Sequence, residues 1–199
     1  IKTNIKNNSR IDLEATQQSV KNLLSKYPQR KCKVYLLHGD LTAGQMTGLY
    51  VNPKVKAMVN ISHGEGFGLP LYEAAREGLP VITIGWSGQQ DFLHHEGKDY
   101  FQSVDFTIQP IQKQAVWNGV LQADSGWAYA DQGSYKMILR KVFKNWDECK
   151  TTADELKSII NENFSDESLF EGFCNAVYGE KIDVDSWLQE LEEDIIEQE

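Results

Sequence analysis

The chain has 199 residues, 41% of them apolar and 25% charged, with 29 Asp+Glu against 20 Lys+Arg for a formal charge of −9. That composition excludes a disordered chain, and with no basic stripe in view it argues against a nucleic-acid-binding surface. No apolar stretch approaches the ~18 residues of a membrane-spanning helix, and the N-terminal segment lacks the apolar core of a secretory signal. The length suits one domain with a sizeable core. The chain begins at Ile1 without a Met, which reads as a missing N-terminus. Cys32, Cys149 and Cys174 are far apart and never in a C-x-x-C pair, so reduced thiols and a cytoplasmic compartment are expected.

In chain order, Leu13, Val20, Leu23, Leu24 and Tyr27 mark one face of a helix that Asp12 can cap and Pro28 stops. Lys33-Val-Tyr-Leu-Leu37 predicts a short buried strand closed by His38-Gly39-Asp40. Leu41 to Tyr50 is a weaker helical segment, and Ala57-Met-Val-Asn-Ile61 a second buried strand. The glycine-rich run Ser62-His-Gly-Glu-Gly-Phe-Gly-Leu69 follows. Pro70 suits the first turn of the next helix and Gly78 its left-handed stop, giving about two turns. Val81-Ile-Thr-Ile84 is a third strand, and Gly85 to Asp91 a second loop.

Strand and helix alternating over short connections predict an α/β fold, with a Rossmann-like parallel sheet covered by helices on both faces. Beyond Tyr100 the pattern weakens. Asp105 to Ile108 reads as another strand, Gln109 to Gly126 as a long surface connection, and the chain from Asp131 onward as helical, with a helix starting near Ser165-Asp-Glu-Ser168. Trp117, Trp127, Trp146, Phe143 and Tyr135 are expected in core or interhelical packing. His94 and His95 are expected on a loop or helix surface, without metal-ligand spacing. The organisation expected is one domain over residues 1–179 and an acidic amphipathic tail over 180–199. That tail holds nine acids and one Lys, hence −8 of the −9, with Trp187, Leu188, Leu191, Ile195 and Ile196 at helical spacing. Asp183-Val-Asp185 matches a metal-binding D-x-D pattern but lies in this charge run.

In open parallel sheets ligands bind beyond the carboxyl ends of the strands, where both glycine-rich loops fall. Gly64, Gly66 and Gly68 let the backbone approach a ligand, and the N–H groups of Phe67, Gly68 and Leu69 open a helix whose dipole favours negative charge. A diphosphate is the natural guest. The spacing is G-x-G-x-G rather than the dinucleotide fingerprint G-x-G-x-x-G, Gly85-Trp86-Ser87 stands where that fingerprint needs an acid to hold a ribose, and no Gly-Lys-Ser/Thr follows as in a Walker loop. Glu65 lies in the loop and Glu73 on the following helix. A carboxylate accepts paired hydrogen bonds from vicinal hydroxyls, so the two flank a diphosphate as the ribose and hexose ends of a nucleotide sugar require.

The run Ser62-His-Gly-Glu-Gly-Phe-Gly-Leu-Pro-Leu-Tyr-Glu-Ala-Ala75, with Gly78-Leu-Pro-Val-Ile82 and Ser87-Gly-Gln-Gln-Asp-Phe-Leu93, resembles the donor-binding half of GT-B glycosyltransferases of the retaining family four type. Weaker similarity runs from about Asn4 to Tyr178. The resemblance implies the C-terminal half of a two-domain GT-B architecture. Its activity would be that of a hexosyltransferase-like enzyme moving a sugar from a nucleoside diphosphate sugar, UDP or GDP type, to an acceptor sugar or glycoconjugate with retention. It implies Glu73 on the ribose, Glu65 near the reacting carbon, and the amides from Gly66 through Phe67 and Gly68 to Leu69 on the diphosphate. His63 and Gln89 would line the sugar side. Arg10 would be one cation clamping the departing diphosphate, with Lys6 or Lys2 as its partner.

Amides and cations can stabilise a leaving diphosphate unaided, so no metal and no other cofactor are expected. Recognition of the base is expected near His38-Gly39-Asp40. The partner implied is a missing N-terminal acceptor domain, without which this chain would be inactive; any membrane contact would belong to that half. The alternatives are a noncatalytic nucleotide-binding or interaction module and a nucleotide-sugar epimerase of the same fold.

Overall fold

The computed structural model describes residues 1–179; the acidic tail expected over 180–199, with Asp183-Val-Asp185, lies outside the described residues. Two compact units are present, Ile1–Leu49 and a second that begins at Tyr50. The protein is mixed α/β, with seven α-helices and a three-stranded parallel sheet among the described residues. No described helix is long and apolar enough to cross a membrane. All three cysteines are free, Cys149 buried and Cys32 and Cys174 exposed.

In the first unit, α1 (Arg10–Ser25) starts at Ser9, whose Oγ accepts the Asp12 amide at 3.1 Å. The cap is therefore Ser9 and not Asp12. Asp12 sits three residues inside, at the acidic position of a capping box, and its carboxylate reaches further back than the cap. Oδ2 accepts the Ile5 amide at 3.1 Å, Oδ1 accepts the Lys6 amide at 2.8 Å, and His38 Nε2 lies 2.8 Å from Oδ2. The Asn8 side chain bonds Asp40, so residues 5–9 are tied to the 38–40 turn twice. The run Lys33 to Leu37 is not the buried strand expected. It meets the N-terminal residues through a parallel bridge between Lys2 and Leu37, and Tyr35 is 73% exposed. Val34 and Leu36 are only half-buried, and a single bridge does not make the run a core strand. Helix α2 (Ala43–Tyr50) matches the weak helical segment.

His38 beside Asp12, helped by the amides of Ile5, Lys6 and Asn7, holds the Asp12 carboxyl below its ordinary value, against burial, which raises it. A carboxyl with a depressed folded value stabilises the fold above its ordinary range and loses that contribution as the pH falls through the folded value. Asp12→Asn should therefore be less stable than the parent protein at pH 6 to 7, with the gap closing below about pH 4. Denaturant titrations at several pH values check this; a gap that persists in acid would mean that packing, not charge, holds the loop.

The second unit is built on β1 (Met58–Asn60), β2 (Val81–Ile84) and β5 (Gln102–Val104), hydrogen-bonded in that order and all parallel. Helix α3 (Leu69–Arg76) connects the first two, with Pro70 in its first turn as expected. Between β2 and β5 lie α4 (Gln90–Leu93) and the hairpin β3 (His94–His95) and β4 (Lys98–Asp99). The two histidines thus stand on a hairpin, where His94 Nδ1 lies 2.7 Å from Asp99 Oδ1. The expected strand at Asp105 to Ile108 exists as β6 (Phe106–Pro110), but it pairs antiparallel with β7 (Gly126–Ala130) and not with the parallel sheet. Helices α5 (Gln132–Lys144), α6 (Trp146–Asn163) and α7 (Asp166–Tyr178) follow, the last capped by Ser165.

Strand β2 is buried throughout, and its alternation divides the core. Val81 joins Leu71 and Ala75 of α3, Phe92 and Leu93 of α4, and Leu156 and Ile160 of α6. Ile82 and Ile84 face the other way, onto Val104, Ala128 of β7, and Val142 of α5. A sheet covered on both faces excludes water from both sides of its ladder, which is what a continuous apolar run such as Val81 to Ile84 needs. Of the aromatic residues expected inside, Tyr135 and Trp146 pack against this second cluster. Trp117 and Phe143 do not: they are 65% and 87% exposed, although Ile111, earlier in the same connection as Trp117, is buried.

Candidate functional site

The connections that leave β1 and β2 at their carboxyl ends meet. The Gly88 amide donates to the Glu65 carbonyl at 3.1 Å; Ser87 Oγ accepts the Glu65 amide at 3.2 Å and donates to the Glu65 carbonyl at 2.6 Å. Those bonds hold Ser87 at φ 77, a left-handed backbone that costs a serine about 1–2 kcal/mol. The approach is so close that a Cβ on Gly88 would lie 1.9 Å from the Gly66 carbonyl oxygen. Residues 64–68 and 85–89 therefore form one double loop at the carboxyl edge of the sheet.

Within it, Glu65 is fixed by its neighbours. Oε1 accepts from Asn60 Nδ2 at 2.7 Å and from Ser62 Oγ at 2.8 Å, while the Asn60 side-chain oxygen accepts the Ser62 amide at 2.8 Å. Oε2 takes no hydrogen bond from the described residues of the second unit. The chain then enters α3 through Gly68, which stands at φ 85 and ψ 46, a conformation that favours glycine. The amides of Gly66, Phe67, Gly68 and Leu69 donate to no acceptor among the described residues of the second unit. They form a row of unused donors at the positive end of α3. Phe67 anchors the row, its ring 5.0 Å from Phe92 and 5.3 Å from Tyr72.

Glu73 lies one turn further along α3, and its Oε2 accepts from the Tyr50 hydroxyl at 3.0 Å. Burial raises the Tyr50 phenol well above its ordinary value, and the Glu73 carboxylate raises it further, so this hydroxyl stays a donor. Half of the Glu73 carboxylate is thus spoken for, and its other oxygen takes no hydrogen bond from the described residues of the second unit.

His63 stands against β7. Its ring stacks on Trp127 with centroids 4.7 Å apart and planes 9° apart, and it meets Tyr129 at 4.5 Å. Nδ1 lies 2.8 Å from the Ala128 carbonyl, which can only accept, so Nδ1 carries the hydrogen and Nε2 is the open position. The Ala128 amide returns a bond to the His63 carbonyl at 3.3 Å. The glycine loop is clamped to β7 by these contacts. Trp127→Leu should loosen that clamp and lower stability by about 1 kcal/mol. Faster hydrogen exchange at the Ala128 amide would report it, and unchanged protection would show that the ring stack carries no load.

Gln89, expected to face a donor sugar, is turned inward. It is 1% exposed, and its Nε2 donates to the Ile84 carbonyl at 3.2 Å behind Gly68. The short connection from β2 to α4 leaves its side chain no outward course. Arg10, Lys6 and Lys2 belong to the first unit. Arg10 stands in the first turn of α1 with its Nε 3.1 Å from Glu14 Oε1; Lys6 gives its amide to Asp12; Lys2 bridges to Leu37.

Asn60, Ser62, Tyr50, Trp127 and Tyr129 are the supporting residues that sequence reasoning missed. Ser62 has the S-x-x-E spacing to Glu65, a usable signal even without a helix. Tyr50 is 23 residues from Glu73 and has none.

The class this geometry defines is a mixed α/β protein with a paired glycine loop at the carboxyl edge of a parallel sheet, flanked by two acids in fixed settings. No protein-family model matches the chain, no curated protein matches it in sequence and no solved structure matches it in fold.

Proposed function

We propose that the chain is the donor-binding half of a retaining GT-B glycosyltransferase, with the Rossmann-like topology of that half, and that it binds a nucleoside diphosphate sugar. The observation that carries this is the row of unused amides from Gly66 to Leu69 at the start of α3, with Glu65 before it and Glu73 after it. Unused amides at a helix start favour a diphosphate in the ground state and more so as negative charge develops on it during sugar departure. Glu73 keeps one oxygen for the ribose hydroxyls. Glu65, immobilised by Asn60 and Ser62, presents Oε2 to the sugar. His63 offers Nε2 to the same sugar. Catalysis needs the acceptor-binding half that would complete the cleft. An acceptor sugar or glycoconjugate hydroxyl then attacks the face the diphosphate leaves, passing its proton to the departing phosphate.

Calorimetric titration with UDP, GDP, ADP and their sugar conjugates, with and without a divalent metal and with NAD as control, tests the reading. Saturable binding of one nucleoside diphosphate without metal supports it and names the base. Preference for NAD would overturn it.

A further inference from the structure

At the opposite, amino edge of the same sheet the second unit carries a cavity of about 190 Å³. Its floor is the pair of segments that enter β1 and β2, and its walls include Val51, Pro53, Leu79, Pro80 and the Trp146 ring. Prolines bring no N–H group, so this wall is poor in donors and favours apolar matter. The polar rim is provided by Lys56, Lys150 and Glu77.

The two lysines differ in what they have left to give. Lys150 donates to the Gly78 carbonyl at 2.9 Å and pairs with Asp154, so its charge is already used to close the C-terminal end of α3. Lys56 makes no ion pair among the described residues. It is nevertheless held in place: its Nζ lies 3.9 Å from the centroid of the Trp146 ring, and the Trp146 indole N–H donates to the Lys56 carbonyl at 2.9 Å. A cation fixed over an aromatic wall, with no anion of its own, is a preorganised half of an ion pair.

We propose that this cavity binds a small monocarboxylate with a hydrocarbon or aromatic body. The carboxylate pairs with the Lys56 ammonium, and the body lies along Pro53, Pro80 and Leu79. One uncommitted cation matches one negative charge, whereas the Glu77 carboxylate on the rim repels a di- or trianion such as a phosphate ester. None of the glycine-loop residues lines the cavity; Tyr50, which donates to Glu73, is the residue it shares with the proposed nucleotide site.

The test uses the full chain and a matched series of probes: 3-phenylpropionate, the neutral 3-phenylpropanol, and inorganic phosphate. The readout is the Trp146 indole N–H resonance, assigned with Trp146→Phe. The expected result is a saturable shift with 3-phenylpropionate at a Kd on the order of 1 mM, at least tenfold weaker with the alcohol or with phosphate. Lys56→Gln should weaken the carboxylate at least tenfold, and Lys56→Arg, which keeps both charge and ring contact, should restore it. Lys56 is on the surface, so these variants test binding in a folded protein. Absence of saturation, equal affinity for the alcohol, equal affinity for phosphate, or binding indifferent to Lys56→Gln would each overturn the proposal.

Discussion

Gly88→Ala is expected to be the most damaging single-methyl change in the second unit, lowering stability on the order of 3 kcal/mol. The added carbon would lie 1.9 Å from the Gly66 carbonyl oxygen and 2.7 Å from its carbon, both backbone atoms that cannot swing aside as a side chain would. The loops would have to part, and with them would go the bonds of Gly88 and Ser87 to the Glu65 peptide. Gly66→Ala is the control. A Cβ there meets nothing within 4 Å, so its stability should stay within about 0.5 kcal/mol of the parent. Urea unfolding of both variants gives the answer through the midpoint at constant slope. Equal midpoints would mean that the double loop is not closed in solution. The pair also separates folding from binding: Gly66→Ala should fold normally yet place a methyl beside the unused amides, weakening any diphosphate seated on them.

That contrast shows what the sequence could and could not disclose. Glycine at Gly64, Gly66 and Gly68 was legible as a request for close approach, but that Gly66 meets Gly88 of the second loop depends on a contact 22 residues apart. Val81 to Ile84, α3 and the loop before it were readable because their signals are local: an apolar run, a proline in the first turn and a glycine stop. Strand β5, Gln102-Ser-Val104, carries no such signal. Its place beside β2 comes from the layers packed over it, with only Val104 fully inside. The same reason hid β7, where Trp127 and Tyr129 meet His63 while Ala128 joins the core with Ala130 packed against it. The run from Lys33 to Leu37 failed in the opposite sense, since five strand-like residues do not supply the neighbours that would bury them.

The second large effect is expected at Glu73, where one side chain serves the fold and the proposed ligand through different oxygens. Glu73→Ala removes the acceptor of the buried Tyr50 hydroxyl, costing about 1–3 kcal/mol of stability. On the proposed function it also removes one or two charged hydrogen bonds to the ribose, about 1.5–3 kcal/mol each. Two further variants pull these apart. Glu73→Gln keeps an oxygen for Tyr50 but loses the charge, so the fold should hold while nucleoside diphosphate affinity drops about tenfold or more. Tyr50→Phe deletes the hydroxyl and leaves the carboxylate intact, so binding should survive with stability changed by no more than about 1 kcal/mol. Thermal unfolding and calorimetry on the three proteins read the two quantities independently. Should Glu73→Gln bind a nucleoside diphosphate as tightly as the parent chain, Glu73 would be a partner of Tyr50 alone, and the ribose would have to be held elsewhere.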